Sequence, residues 1–399
     1  MSEPTQLLEP AGFTEILANA RAITPYLAAR SAEIEEARRL PSDVVDTLKR
    51  AGAFRIAMPR IWGGPELTSM EQVEVIEQLS MGDASVGWCV MIGCDSGLYS
   101  GFVEDGAARK LWPELDMVQA GWVYPMGRAD LVNDGYRVSG QWMFCSGSSH
   151  ADNIAAGCIV FENGEPVVKN GRSEWRIMVA PKTDWEIQDV WHTTGLRGTA
   201  SNDYTTGGES LFVPRENSFY FTEPKRDGAL WARPDALLRK MAGIPLGVAR
   251  RVLDEVIAIM HHKVERRSQQ PYRDMESVRS AVGEAHMTLG AARSYLFATL
   301  ENQWRKIERD EPLSAAERAD LWFSRLNAFQ SARKIVRSLY DIVGGNAIYT
   351  GKHTLDRALR DVETMCQHIV GQRRELSTVG GLLLNPEDEM ANASPMLSR

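Results

Sequence analysis

Across residues 237–259 the apolar side chains Leu237, Met241, Ile244, Val248, Val252, Val256 and Ile259 recur every three or four positions, so they share one face of an α-helix. The same period runs through 275–307, 314–343 and 353–376, and four long helices in series predict an antiparallel bundle. The first third is also helical by pattern. Leu40-Pro41-Ser42-Asp43 reads as a capped helix start ahead of Val44, Val45, Leu48 and Ala51. Further helices are predicted over 70–81 and 86–102, the second strongly apolar. Trp62-Gly63-Gly64, between Pro59 and Pro65, marks a turn. From about Met117 the period shortens. The runs 136–144, 154–161, 175–180, 185–188 and 209–213 have strand lengths and are separated by Gly, Pro, Asn and Asp. The pattern predicts an α+β protein: an N-terminal α-helical domain over 1–116, a central β-barrel or sandwich over 117–234, a C-terminal four-helix bundle over 235–384 and a polar tail at 385–399.

At 399 residues, 44% hydrophobic and 25% charged, the chain has the composition of a multi-domain globular protein. A net charge of −8 disfavours nucleic acid and anionic membranes as partners, because both repel an acidic surface. No apolar run reaches the ~20 residues of a membrane span, and the N-terminus lacks a secretion signal. Five cysteines, an odd number with no C-x-x-C pair, read as reduced thiols of a cytoplasmic protein. Eleven tryptophans suit a pocket for a flat ligand as well as a core.

Several chemistries are excluded by motif. There is no G-x-G-x-x-G and no phosphate-binding lysine loop. The seven histidines form no H-E-x-x-H, and the neighbours His261 and His262 point about 100° apart on a helix, so no metal site is expected. Gly93-Cys94-Asp95-Ser96-Gly97 lies in a helical stretch rather than in the strand-to-helix turn of a hydrolase nucleophile.

Four segments carry the positive signal. Phe144-Cys145-Ser146-Gly147-Ser148-Ser149-His150-Ala151-Asp152 closes a strand in a small-residue turn. Gly195-Leu196-Arg197-Gly198-Thr199-Ala200-Ser201-Asn202-Asp203 follows Trp191-His192, where His192 reads as structural. Asp341-Ile342-Val343-Gly344-Gly345-Asn346 ends a long helix in two glycines, as a loop approaching a ligand closely requires. Arg360-Asp361 precedes His368 on the next predicted helix. Together with the helical, β, helical order of the chain, these segments resemble the acyl-CoA dehydrogenase superfamily over nearly the whole length. That family's usual base, a glutamate nine residues after the arginine of Arg-Asp, corresponds here to Ile369. Its second base position lies eight residues before the proline of Ala242-Gly243-Ile244-Pro245-Leu246-Gly247 and is Leu237. Neither side chain can remove a proton, which argues against acyl thioester dehydrogenation.

The absence of the glutamate, the histidine after Arg-Asp, and Trp62-Gly63-Gly64, Gly87-Trp88 and Ser146-Gly147 resemble a branch of that superfamily, the two-component flavin-dependent monooxygenases acting on hydroxyphenylacetate, secosteroid phenols, dibenzothiophene or indole-type compounds. The resemblance implies reduced FAD, or FMN, delivered by a separate NAD(P)H-dependent flavin reductase, with O2 and a small aromatic substrate hydroxylated through a flavin C4a-hydroperoxide. It places Ser146 at flavin N5 and His368 at the peroxide. It sets Trp122, Tyr124, Arg267, Asp341, Gly344 and Gly345 around the cofactor, the glycines across a boundary in a homotetramer. A lone histidine on an apolar helix face is by default a packed core residue; its position beside the missing base favours the chemical role. Phenol hydroxylases of the branch carry a substrate-binding histidine after Gly-Trp, whereas this chain has none over 93–99, leaving Asp95, Ser96 or Tyr99 to bind a phenol-like or N-heteroaromatic substrate such as an indole. Two other readings stay open: an atypical acyl-CoA dehydrogenase or oxidase with a relocated base, and a non-redox binding protein on the same scaffold.

Overall fold

The computed structural model describes residues 6–169 and 171–387, so most of the expected polar tail lies outside the described residues. Six helices open the chain: α1 (Phe13–Ala37), α2 (Ser42–Arg50), α3 (Ser69–Gly82), α4 (Ala84–Gly93), α5 (Asp95–Tyr99) and α6 (Asp105–Leu111). The start of α3 is fixed by a capping box, Thr68 and Glu71 each bonding the other's backbone N–H. The apolar run 86–102, expected as one helix, divides at Cys94 into α4 and α5. Both are enclosed by protein on almost every side, which an all-round apolar sequence requires.

The central region holds β1 (Gln119–Val132), β2 (Gly135–Ser139), β3 (Gln141–Cys145), β4 (Asn153–Glu162), the short β5 (Glu165–Pro166), β6 (Val168–Lys169) and β7 (Arg172–Ser173), then β8 (Trp175–Pro181), β9 (Glu186–Gln188), β10 (Asn202–Thr205), β11 (Leu211–Pro214) and β12 (Ser218–Phe219). The main sheet runs β11-β2-β1-β4-β8-β12, with β5 on β4. A second sheet runs β3-β10-β9, and β6 pairs with β7. β1 and β4 are parallel, while the other pairs are antiparallel. The longest strand, β1, is missing from the sequence expectations for a physical reason. Pro125 has no N–H to give the ladder, and the register slips on both sides of it, so the two-residue alternation is lost. The run 136–144, expected as one strand, divides at Gly140, where the chain passes from the main sheet to the second.

The C-terminal third comprises α7 (Ala236–Arg239), α8 (Gly243–His262), α9 (Glu276–Glu308), α10 (Ala315–Val343), α11 (Leu355–Met365) and α12 (Glu375–Leu384). α10 is the axis of the bundle and packs on α8, α9, α11 and α12. α3 lies along α8, so one apolar core runs through both helical regions. The sheets enclose their own core. A third cluster, with Tyr99, Phe102, Phe219 and Trp231, joins α5 and α6 to β8 and β12. Two expectations are corrected here. The helix read from Leu237 breaks at residues 240–242, between α7 and α8. The helix expected over 353–376 ends at Met365, so His368 stands in extended backbone (φ −66°, ψ 146°) rather than on a helix face. The chain doubles back there, and a Cβ on Gly371 would come within 2.9 Å of Cys366 Cα.

Candidate active site

Three distant parts of the chain meet around Ser146. The serine sits just past β3, almost buried, and its Oγ accepts a hydrogen bond from Trp88 Nε1 of α4 at 3.1 Å. The Trp88 ring meets the His368 ring edge-on, with centroids 5.6 Å apart. On the other side, Ser146 Oγ lies 2.7 Å from Ser201 Oγ, which lies 2.7 Å from Thr199 Oγ1.

The turn that brings Thr199 and Ser201 here is clamped by Arg360-Asp361, which gives that pair a structural meaning. Asp361 Oδ1 accepts the Leu196 backbone N–H at 2.6 Å, and Arg360 Nη1 donates to the Thr194 carbonyl at 2.7 Å. Arg360 is itself held by Asp356 and Glu35. Gly195 allows the approach, since a Cβ there would lie 2.2 Å from the Arg360 carbonyl oxygen. From the opposite side Gly147 donates its N–H to the Thr199 carbonyl at 2.8 Å, and Ser148 Oγ donates to the Ala200 carbonyl at 2.7 Å. The turn of Ser146 and the turn of Ser201 are therefore one rigid unit.

His368 is half-buried, and burial pushes its pKa down to about 4, so the imidazole is neutral at physiological pH. Its Nδ1 faces the Val370 N–H at 3.4 Å and accepts from it, which leaves the ring proton on Nε2. Burial together with the nearby Lys182 and Lys49 cations lowers His150 in the same direction, to about 3. Both histidines take up protons more readily in the unfolded chain. Their contribution to stability is complete above the unfolded pKa near 6.5 and is lost as pH falls toward 4. We expect a labelled His368 to give a neutral-imidazole NMR signature at pH 5.5, and His368→Gln to flatten the fall in melting temperature between pH 6.5 and 4.5. Asp361 shifts the other way, to about 7, through burial and the neighbouring Asp83 carboxylate.

A partly exposed aromatic wall flanks Ser146. Phe144 is 44% exposed although it follows a core-facing pattern, and its backbone is held at φ 60°. Its ring lies 5.4 Å from Trp122 and 6.2 Å from Trp191. Trp122 Nε1 is buried without a partner among the described residues, while Tyr124 is largely exposed on the same strand. A flat apolar surface, a buried hydroxyl acceptor, an orphaned indole N–H and a neutral imidazole fit a planar heteroaromatic group such as a flavin ring. Nothing in the sequence pattern marks Phe144, because a phenylalanine at a strand end reads as core. Trp88, Thr199 and Ser201 lie in segments that carry the family resemblance, but no sequence signal gives them a place beside Ser146.

The other sequence-derived residues fall in two places. Arg267 is exposed in the loop after α8, and Asp341, Gly344 and Gly345 are exposed at the C-terminal end of α10. Lys263 Nζ donates to the Val343 carbonyl at 2.7 Å and brings these loops to the same end of the bundle. Asp95 forms a fully buried ion pair with Lys240 at 2.5 Å, so its carboxylate already has a cationic partner. Ser96 bonds the Gly93 carbonyl, and Tyr99 packs against Phe219 and Phe221. Leu237 is packed between two apolar clusters. Among the described residues no group of three or more His, Cys, Asp or Glu is arranged to hold a metal, all five cysteines are free and buried, and no helix is long and apolar enough to cross a membrane.

Comparison with known proteins agrees with this architecture. Residues 15–107 match the family "Acyl-CoA dehydrogenase, N-terminal domain" and residues 240–373 match "Acyl-CoA dehydrogenase, C-terminal domain", together more than half of the chain. The chain belongs to the acyl-CoA dehydrogenase superfamily. Within it the relatives are flavin-dependent monooxygenases. It is 26% identical to the indole-3-acetate monooxygenase of Pseudomonas putida, over 85% of this chain and 86% of that protein. It is also 26% identical to the oxygenase component of the FADH2-dependent resorcinol hydroxylase of Rhizobium sp. (strain MTP-10005), over 92% and 93%. In fold it matches the crystal structure of 3-HSA hydroxylase from Rhodococcus sp. RHA1 with a TM-score of 0.85, at 24% identity and over 94% and 99% of the two chains.

Proposed function

We propose that this chain is the oxygenase component of a two-component flavin-dependent monooxygenase, using reduced FAD (or FMN) and O2 to hydroxylate a small aromatic or N-heteroaromatic compound. The observation that carries this reading is the convergence of Ser146, Trp88 and His368, while Ile369 and Leu237 stand where dehydrogenases keep a base. Bound reduced flavin supplies the two electrons that activate O2. The chain's own residues then have distinct tasks. Ser146 offers an oxygen to N5. His368 keeps a proton on Nε2, beside Trp88, for hydrogen bonding to the reacting oxygen. Trp88, Trp122 and Phe144 exclude water, which strengthens each of those bonds.

Asp95, Ser96 and Tyr99 stand, in this reading, behind the substrate face, with Lys240 fixing Asp95. Arg267, Asp341, Gly344 and Gly345, with Trp122 and Tyr124, take the remainder of the cofactor. The exposed glycines and the neighbouring Ile348 and Tyr349, 61% and 58% exposed, support closure of that end by a second subunit in a homotetramer. A sedimentation mass of about four times 44.5 kDa at micromolar concentration is expected, and a single-chain mass removes this part of the reading. The partner that supplies reduced flavin is a separate NAD(P)H-dependent reductase, in the cytoplasm.

The test is a single-turnover reaction of the protein with chemically reduced FAD, isotopically labelled O2 and a panel of indoles and phenols. Label in an organic product is the expected result. Anaerobic bleaching of bound oxidised flavin by an acyl-CoA, with no oxygenated product, would instead establish the dehydrogenase reading. Absence of any flavin-dependent turnover would leave a binding scaffold.

A further inference from the structure

We propose that Thr199 and Ser201 are positioning residues that fix the direction of the Ser146 hydroxyl and so make the site select reduced over oxidised flavin. The inference rests on the flavin reading above and comes from the sense of a hydrogen-bond chain. The Leu196 carbonyl can only accept, so the Thr199 hydroxyl, 2.8 Å away, donates to it. A hydroxyl has one hydrogen, and Thr199 must therefore accept from Ser201 at 2.7 Å. Ser201, its hydrogen committed, accepts from Ser146 at 2.7 Å. The Trp88 indole, a donor only, takes one Ser146 lone pair at 3.1 Å.

Ser146 is thus left with one acceptor lone pair and no hydrogen to give. Burial of Trp88, Ser146, Thr199 and Ser201 withholds the bulk water that would otherwise let the chain reverse. The far end is anchored as well. The Leu196 carbonyl also receives Trp191 Nε1 at 2.9 Å, and the Leu196 N–H is held by Asp361 at 2.6 Å. Flavin N5 bears a hydrogen when reduced and is a bare acceptor when oxidised. Only the reduced form can bond an oxygen prepared in this way. The oxidised form meets two acceptors facing each other. An oxygenase fed by free reduced flavin benefits directly, because spent cofactor loses this bond.

The test measures dissociation constants of oxidised FAD and of anaerobically dithionite-reduced FAD for the wild type, Thr199→Val, Thr199→Ser and Ser201→Ala. The wild type should favour the reduced form. Thr199→Val has the same shape and keeps the backbone bonds of the turn, but it removes the acceptor for Ser201. The Ser201 hydrogen then turns to Ser146, and the Ser146 hydrogen is released toward N5. The ratio of the two constants should fall about tenfold, the effect of one hydrogen bond. Ser201→Ala should act in the same direction, and Thr199→Ser should keep the wild-type ratio. Equal weakening of both redox forms in Thr199→Val and Ser201→Ala would make these residues merely structural and overturn the inference. So would a wild type that binds both forms equally. A wild type that binds neither form at near-millimolar flavin would overturn the flavin reading itself.

Discussion

His368→Ala should consume reduced flavin and O2 at close to the wild-type rate while releasing hydrogen peroxide in place of hydroxylated product. The imidazole is neutral, its Nδ1 is turned to the Val370 N–H, its proton is on Nε2, and its ring meets that of Trp88 edge-on. Removing a positioned donor from a water-poor site typically costs ~10²-fold or more in the step it serves, so product formed per flavin should fall by about that factor. Oxygen consumption, which precedes that step, should persist. A histidine that only packs against Trp88 predicts something different: a lower melting temperature, with the product-to-peroxide ratio of the surviving protein unchanged. Measuring both quantities on one preparation decides between them. On the proposed reading Ser146→Ala should uncouple in the same way, because N5 would lose its acceptor.

Lys240→Met should destabilise the fold by about 3–5 kcal/mol, because it strands the Asp95 carboxylate in a site with neither water nor a counter-charge. Both side chains are within 4% of complete burial, so solvent screening gives no relief. The partner substitution repairs the damage. Lys240→Met with Asp95→Leu removes both charges, and it should recover most of the loss in urea midpoint at an unchanged m-value. If Lys240→Met alone leaves the midpoint in place, the pair is not held as an ion pair. The consequence for function is local. On the proposed reading, in which Tyr99 stands behind the substrate face, the single variant should also loosen the buried Tyr99–Phe219–Phe221 cluster and raise KM for the aromatic substrate more than it lowers kcat.

The helical and β regions were legible in the chain because burial repeats with the period of the element. The stripe from Ile244 to Ile259 and the strands β4 and β8 need no information from elsewhere in the molecule. The places where pattern misled are those where a distant residue interrupts the period. Pro125 disturbs β1, and the break at 240–242 serves the burial of Lys240 against α5. His368 sits beyond α11 because the chain must turn back at Gly371.

Residue types at the site followed the same division. The sequence by itself determined that a flavoenzyme-like scaffold lacks the dehydrogenase base, since Ile369 and Leu237 cannot ionise wherever they lie, and it singled out Ser146 and His368 by their neighbours along the chain. Only the tertiary structure decided that Trp88 bridges the two, that Phe144 turns outward at positive φ, that Asp95 answers to Lys240, and that the Arg360-Asp361 pair holds the turn bearing Thr199 and Ser201. The physical reason is that hydrogen-bond direction and ion pairing depend on separations of about 3 Å between side chains that the chain itself does not place side by side. Periodicity reports which face of an element is buried, but it carries no record of the partner that a buried polar group meets there.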